Sequence, residues 1–278
     1  MAVVLGKGLR REVSSGSCGL WDLIDGSFVV GDRDVADLVQ DPGWAGLWTV
    51  RRRTALGDVA CVVGDLGEAG FAGCRPVRRF SWRTGQRQRP GVQFMVSTGR
   101  HHGFESMAEQ RLLLALDFAG DVDDVISQPF WLRFLTRAGW WEHVPDFLAW
   151  GPGGVVVVDV RPGGRIQADE RVRFAATAEV ALACGWRYAV VEGWRPHVMS
   201  VLDTLSSQRR DLRDVLGVQA QLMAVAGQGP MEFGRLVGAT SYPAVARAHA
   251  LHLLWHRRLA ISVTAPLSDA TVVSGADW

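Results

Sequence analysis

Lysine is almost missing from this sequence. Of its 30 basic residues one, Lys7, is lysine and the other 29 are arginine. Chemistry that needs a titrating lysine must use Lys7 or proceed with arginine, which stays protonated. Cysteine is scarce as well: Cys18, Cys61, Cys74 and Cys184 are scattered, with no CxxC pair. That excludes the usual zinc-ribbon spacings and gives no sign of a disulfide framework, so the four are expected to be small buried hydrophobes. Long apolar runs are lacking too. The longest, Leu112–Leu116 and Val155–Val158, are core-sized against the roughly 18 residues a membrane span needs. Met1–Leu5, followed by Lys7, Arg10 and Arg11, has no apolar run with a small-residue cleavage site, so the expected compartment is cytoplasmic.

What is present is a globular composition, 48 % hydrophobic and 21 % charged, with a net charge of +1 over 278 residues. At about 100–200 residues per domain, two domains are expected, or one with appendages. The near-zero net charge hides an uneven distribution. From Arg75 to Arg100 there are seven arginines and no Asp or Glu. Arg78, Arg79, Arg83, Arg87, Arg89 and Arg100, interleaved with Phe80, Trp82 and Phe94, are candidate DNA contacts, since guanidinium groups neutralise phosphates and aromatics pack on bases. The competing reading is a solvated basic strand pair with half-buried aromatics.

Three regions follow. Residues 1–74 carry acidic and glycine-rich patches and no motif. Residues 75–200 alternate helix and strand signals. Residues 205–278 read as mostly helical and end in a short strand pair. In the middle region Glu105–Phe118 has the apolar spacing of an amphipathic helix. Ile126–Leu135 and Trp140–Trp150 read as strands, and Gly151-Pro152-Gly153-Gly154 as a turn. Val155–Arg161 is a third strand, residues from about Gln167 to Cys184 a helix, and Trp186–Val191 a fourth strand.

Four consecutive valines before Asp159 describe a strand buried on both faces, where an aspartate needs compensation. Alternation puts Asp159 and Arg161 on one face. Asp146 lies thirteen positions earlier, across the glycine turn, so a hairpin brings the two carboxylates together, and a helical glutamate adds a third. Converging carboxylates beside a cation are what Mg²⁺ at a scissile phosphate requires. Gln128 has two readings, orienting a water or phosphate, or capping a strand. His143, an odd number of residues from Asp146, is expected on the opposite strand face with a structural role. His101 and His102 are expected to be solvated, Arg165, Arg171 and Arg173 to lie on a solvated helix face, and Trp186 and Trp194 in the core.

These residues carry a resemblance. Glu109, Pro145-Asp146, Asp159-Val160-Arg161 and the helix-strand order resemble the PD-(D/E)xK nucleases. The blocks Phe104-Glu105-Ser106-x-x-Glu109, Leu116-Asp117-Phe118, Ser127-Gln128-Pro129-Phe130, His143–Leu148 and Asp159–Pro162 look like TnsA-like transposase endonuclease subunits. The match runs from roughly Pro76 to Val191 and leaves residues 1–74 uncovered. The resemblance implies an α/β (α+β) fold with a restriction-endonuclease-like PD-(D/E)xK core. It implies a Mg²⁺ site, with Mn²⁺ as substitute, at Glu109, Asp146, Asp159 and Val160, and catalytic roles for Glu109, Asp146, Asp159, Arg161 and Gln128. Glu105 is the rival for the helical position. Arg161 stands where the family usually has lysine; it can hold a pentavalent phosphate but not act as a base. The implied partners are double-stranded DNA at transposon ends, a DDE-type transposase subunit and an AAA+ ATPase.

The C-terminal region reads as a mainly α, winged-helix domain: helices over Ser206–Ala226, Phe233–Val237 and Ala244–Arg257, then strands Leu259–Val263 and Ala270–Val273. The last helix carries Arg247, a candidate DNA contact, with His249, His252, His256, Arg257 and Arg258. Three functional readings compete: a transposition endonuclease, a PD-(D/E)xK nuclease of restriction or repair, and a non-catalytic DNA-binding adaptor.

Overall fold

Two prolines decide how the middle of the chain is folded. The computed structural model describes residues 12–78, 90–164 and 166–276, and shows a mixed α/β protein. Neither long strand expected from the sequence is continuous. The first divides into Asp124–Ser127 and Trp131–Thr136, with Pro129 in the gap; the second into Gly139–His143 and Phe147–Gly151, with Pro145 in the gap. Proline has no N–H to offer a ladder, so each strand ends where its proline stands. At both breaks the chain changes sheet.

The larger sheet has five strands in the order Ile24–Phe28, Arg187–Trp194, Gly154–Val160, Phe147–Gly151, Asp124–Ser127. Its central valine strand, Gly154–Val160, pairs antiparallel with Phe147–Gly151 through the glycine turn, where Gly154 takes a φ of 89°. On its other side it runs parallel to Arg187–Trp194, with Asp159 opposite Val190. The crossover is the helix Ala168–Ala183, whose start is fixed by a capping box between Gln167 and Glu170. The smaller sheet orders Gly57–Val62, Thr49–Thr54, Trp131–Thr136 and Gly139–His143. One core serves both: Trp48, Val50, Leu132 and Phe134 meet Ile126, Leu148 and Val157, with Val172, Ala175 and Val180 of the crossover helix.

The described residues 12–74 divide between two compact units. Residues 26–74 belong to the compact unit that holds both sheets, because their hairpin buries Trp48 and Val50 in the common core. A two-stranded hairpin has too little apolar surface to stand alone. Residues 12–25 group instead with 114–120 and 194–276 in a second unit, where Val13, Ser14 and Ser15 pair with Ile261–Val263. The glutamate helix, Met107–Ala119, contributes its first half to one unit and its second half to the other.

In the second unit the helix expected over Ser206–Ala226 is shortened to Val218–Ala226, and a separate helix, Val198–Ser206, precedes it. The later one starts where the Asp214 carboxylate accepts the amides of Val218 and Gln219, both at 2.8 Å, after Gly217 at a φ of 63°. Helices Phe233–Gly238 and Pro243–Trp255 follow, with Pro243 opening the last as expected. Three short strands pair in the order Met231–Glu232, Val272–Gly275, Leu259–Ala260. No described helix is long and apolar enough to cross a membrane.

Candidate functional site

An open pocket of about 500 Å³ lies in the first unit, lined by Glu105, Glu109, His143, Asp146, Asp159, Val160, Arg161 and Glu170 among others. The glutamate helix supplies Glu109 in its first turn and the segment before it Glu105, the bend after Pro145 supplies Asp146, and the end of the valine strand supplies Asp159, with Arg161 just beyond it.

Each carboxylate is held. Glu109 accepts the Glu105 amide and the Ser106 hydroxyl, both at 2.8 Å, closing the first turn of its helix. Asp146 accepts the Val160 amide at 2.7 Å. Asp159, buried at 2 % exposure, accepts the Tyr188 hydroxyl at 2.6 Å and the Asp146 amide at 3.2 Å, and lies 3.1 Å from His143 Nε2. Burial, then repulsion from Asp159 and Glu109, raises the Asp146 carboxyl well above the usual carboxylate range. Glu109 is raised chiefly by burial, with Glu105 and Asp159 adding to it against its hydrogen bonds. Burial, and the charge of Asp159 accepting its proton, push the Tyr188 hydroxyl up. The pocket is thus a cluster of oxygen acids short of positive charge.

Arg161 does not supply that charge to the carboxylate cluster. Its guanidinium pairs with Glu170, and its Nε is buried without a hydrogen-bond partner. The donor set of Glu109, Asp146, Asp159 and the Val160 carbonyl is all hard oxygen, the chemistry that suits Mg²⁺ or Mn²⁺. Among the described residues, no group of three or more His, Cys, Asp or Glu is gathered closely enough to hold a metal ion as it stands.

Tyr188 is not among the residues the sequence singles out, and His143, expected on the opposite strand face, lines the pocket beside Asp159. The parity argument for His143 fails because its strand stops there, and Val144–Asp146 is irregular. Tyr188 was within reach of alternation: Asp159 pairs with Val190, so the tyrosine two residues earlier shares its face.

Gln128 is placed apart from this group. It is 2 % exposed, at a φ of 48°, with its Oε1 buried and without a partner, and it does not line the pocket. Its amide donates to the Asp146 carbonyl at 2.7 Å and its carbonyl accepts from Val77 at 2.9 Å. Its contact with the group is through the backbone. Of the candidate DNA contacts, Arg78 is exposed, and Arg100 is exposed and paired with Asp124. Arg79, Arg83, Arg87 and Arg89 lie outside the described residues, as does Arg165. His101 is exposed, but His102 is buried and bonded to Thr98 at 2.7 Å, against the expectation of a solvated pair.

The basic set on and just after the last helix is divided: only His249 is buried, His252 and Arg257 are half-buried, and Arg247, His256 and Arg258 are exposed. His249 is buried against Gln219, His252 and His256 bond the Gln208 and Arg209 carbonyls, and Arg257 reaches the carbonyls of Phe118 and Cys18. Arg247 stays exposed, bound to Asp269 at 2.6 Å over the Phe233 ring. No family model matches the sequence, and no curated protein matches it.

Proposed function

We propose that the chain is a Mg²⁺-dependent DNA endonuclease subunit of a heteromeric transposase, hydrolysing phosphodiester bonds at transposon ends beside a DDE-type transposase and an AAA+ ATPase. The observation that carries the reading is the meeting of Glu109, Asp146, Asp159 and Arg161 at one open pocket, from three separate elements. The order helix, three strands, helix, strand in the larger sheet agrees with a PD-(D/E)xK core. The order helix, strand, two helices, two strands in the second unit agrees with a winged helix.

In this reading Glu109, Asp146, Asp159 and the Val160 carbonyl would hold the cation. A bound Mg²⁺ would stabilise charge on the phosphoryl oxygens and lower the pKa of a bound water. His143 and Tyr188 orient Asp159, and Glu170 holds Arg161 at the rim until a phosphate competes for it. Arg161 meets phosphate bidentately and takes no proton.

A second reading, a DNA-binding adaptor with an inactive pocket, draws on one observation. Asp159 already has hydrogen-bond partners at both oxygens, and Arg161 is already paired. Nicking of supercoiled DNA in Mg²⁺ against EDTA, for the parent and for Asp146→Asn, separates the two. The nuclease reading expects metal-dependent nicks that the variant lacks; equal, metal-independent traces from both leave the adaptor.

A further inference from the structure

The smaller sheet has one face on the core and another turned away from it. Pairing places Arg51 opposite Trp131 and Ala60, Arg53 opposite Asp58, Arg133 opposite Glu142, and Leu135 opposite Trp140. A bridge between Arg53 and Arg75 brings a fourth arginine to the same side. Opposed residues of antiparallel strands share a face, and neighbours along a strand alternate. Val50, Arg52, Leu132 and Phe134 point to the core, so Arg51, Arg53, Arg75, Arg133, Trp131 and Trp140 stand on the outer face.

These side chains are arranged in stacks. The Arg51 guanidinium lies 4.0 Å from the Trp131 ring centre, with Arg53 at 5.3 Å, and Arg133 lies 4.7 Å over Trp140. Trp140 is 43 % exposed and the Arg51 side chain 52 %. A guanidinium flat on an indole keeps its in-plane N–H donors for a second partner. The acids on the face are Asp58, shared by Arg51 and Arg53, and Glu142. Exposed pairs of that kind yield readily to a polyanion. Four arginines against two carboxylates leave the face positive, with Arg51 and Arg53 two residues, about 6.7 Å, apart along their strand. Arg75 is also the first residue of the acid-free stretch that continues through Arg78.

We propose that this face binds the sugar-phosphate backbone of duplex DNA. It rests on the DNA-acting reading for the choice of duplex over another polyanion. The face is separate from the carboxylate pocket, so its test uses no metal and no cleavage, which keeps failure of binding apart from failure of catalysis.

The test is fluorescence anisotropy of a labelled duplex of arbitrary sequence with the full chain in EDTA, over a range of salt. Arg51→Gln and Arg133→Gln should each weaken binding about three- to tenfold and lower the salt slope by about 0.9 per lost phosphate contact. Arg51→Lys should keep the slope while losing part of the affinity, because charge survives and the stack does not. Arg33→Gln, an exposed arginine on the short helix Asp32–Val35, should bind as the parent does. An unchanged far-ultraviolet circular dichroism spectrum confirms that the variants fold. The proposal is overturned if the parent ignores duplex at low salt, if the variants match the parent in affinity and slope, or if polyglutamate competes as well as DNA.

Discussion

The backbone amide of Gln128 donates to the carbonyl of Asp146 at 2.7 Å, so the two places where the chain changes sheet are tied to each other. Asp146 leaves that junction with its carboxylate turned to the Val160 amide at the end of the valine strand. The pocket exists because two strands are broken at adjacent points.

Gln128 itself should prove replaceable. Its buried, unpartnered Oε1 carries the cost of desolvation with nothing in return. Gln128→Leu keeps the shape and removes that atom, so the protein should gain about 1 kcal/mol against urea. A loss of more than that, or a collapse of nicking with the fold intact, would restore a chemical role for the side chain.

The carboxylate cluster should make metal-free stability fall as pH rises. Asp146 and Glu109 have folded pKa values above those of the unfolded chain. Between the ordinary carboxylate range near 4 and the raised values, the folded state therefore binds more protons than the unfolded one, and stability declines with pH. Melting temperatures measured across that window in EDTA should fall less for Asp146→Asn than for the parent. Parallel curves would show that the repulsion is absent.

Asp159 depends on its donors. Tyr188→Phe removes a short hydrogen bond to a buried carboxylate and should cost about 2 kcal/mol, read by urea unfolding at neutral pH. Asp159→Ala should also destabilise, because it strands the tyrosine hydroxyl and the Asp146 amide. Removing a repelling charge is not the dominant effect at that position. A change below about 0.5 kcal/mol in Tyr188→Phe would mean that the bond is not formed.

Glu170 should act as a brake on Arg161. Glu170→Gln preserves the capping-box hydrogen bond and weakens the hold on the guanidinium, so duplex affinity should rise severalfold at low salt. Arg161→Ala should lose turnover while cation-induced stabilisation survives. Equal affinity in parent and Glu170→Gln would place Arg161 outside the DNA path.

Much of this site can be read from the chain. The valine run before Asp159 and the glycine turn bring Asp146, Asp159 and Arg161 to one end of a sheet, the TnsA-like resemblance adds Glu109, and the structure has all four around one pocket. What is not legible follows from the breaks. Parity holds only along an unbroken strand, so His143 was assigned to the wrong side of a strand that ends at His143 itself. Pro129 and Pro145 were visible signals of those breaks. The hydrogen bonds of His249, His252, His256 and Arg257 are made to Gln219, Gln208, Arg209, Phe118 and Cys18, which are distant in sequence. Basic composition on a helix says nothing of such partners.

The central claim, that these carboxylates form a cation site, is tested most directly by titrating Mg²⁺ into the metal-free protein by calorimetry in buffers of different ionisation enthalpy. The account predicts one ion bound, with affinity falling and proton release growing as the pH is lowered toward the carboxylate range, because the cation competes with protons for the raised Asp146 and Glu109 carboxyls. It predicts that Asp146→Asn, still folded, loses both the binding and the proton release. No binding at millimolar Mg²⁺ or Mn²⁺ by the folded parent, or binding that Asp146→Asn leaves unchanged, would contradict it.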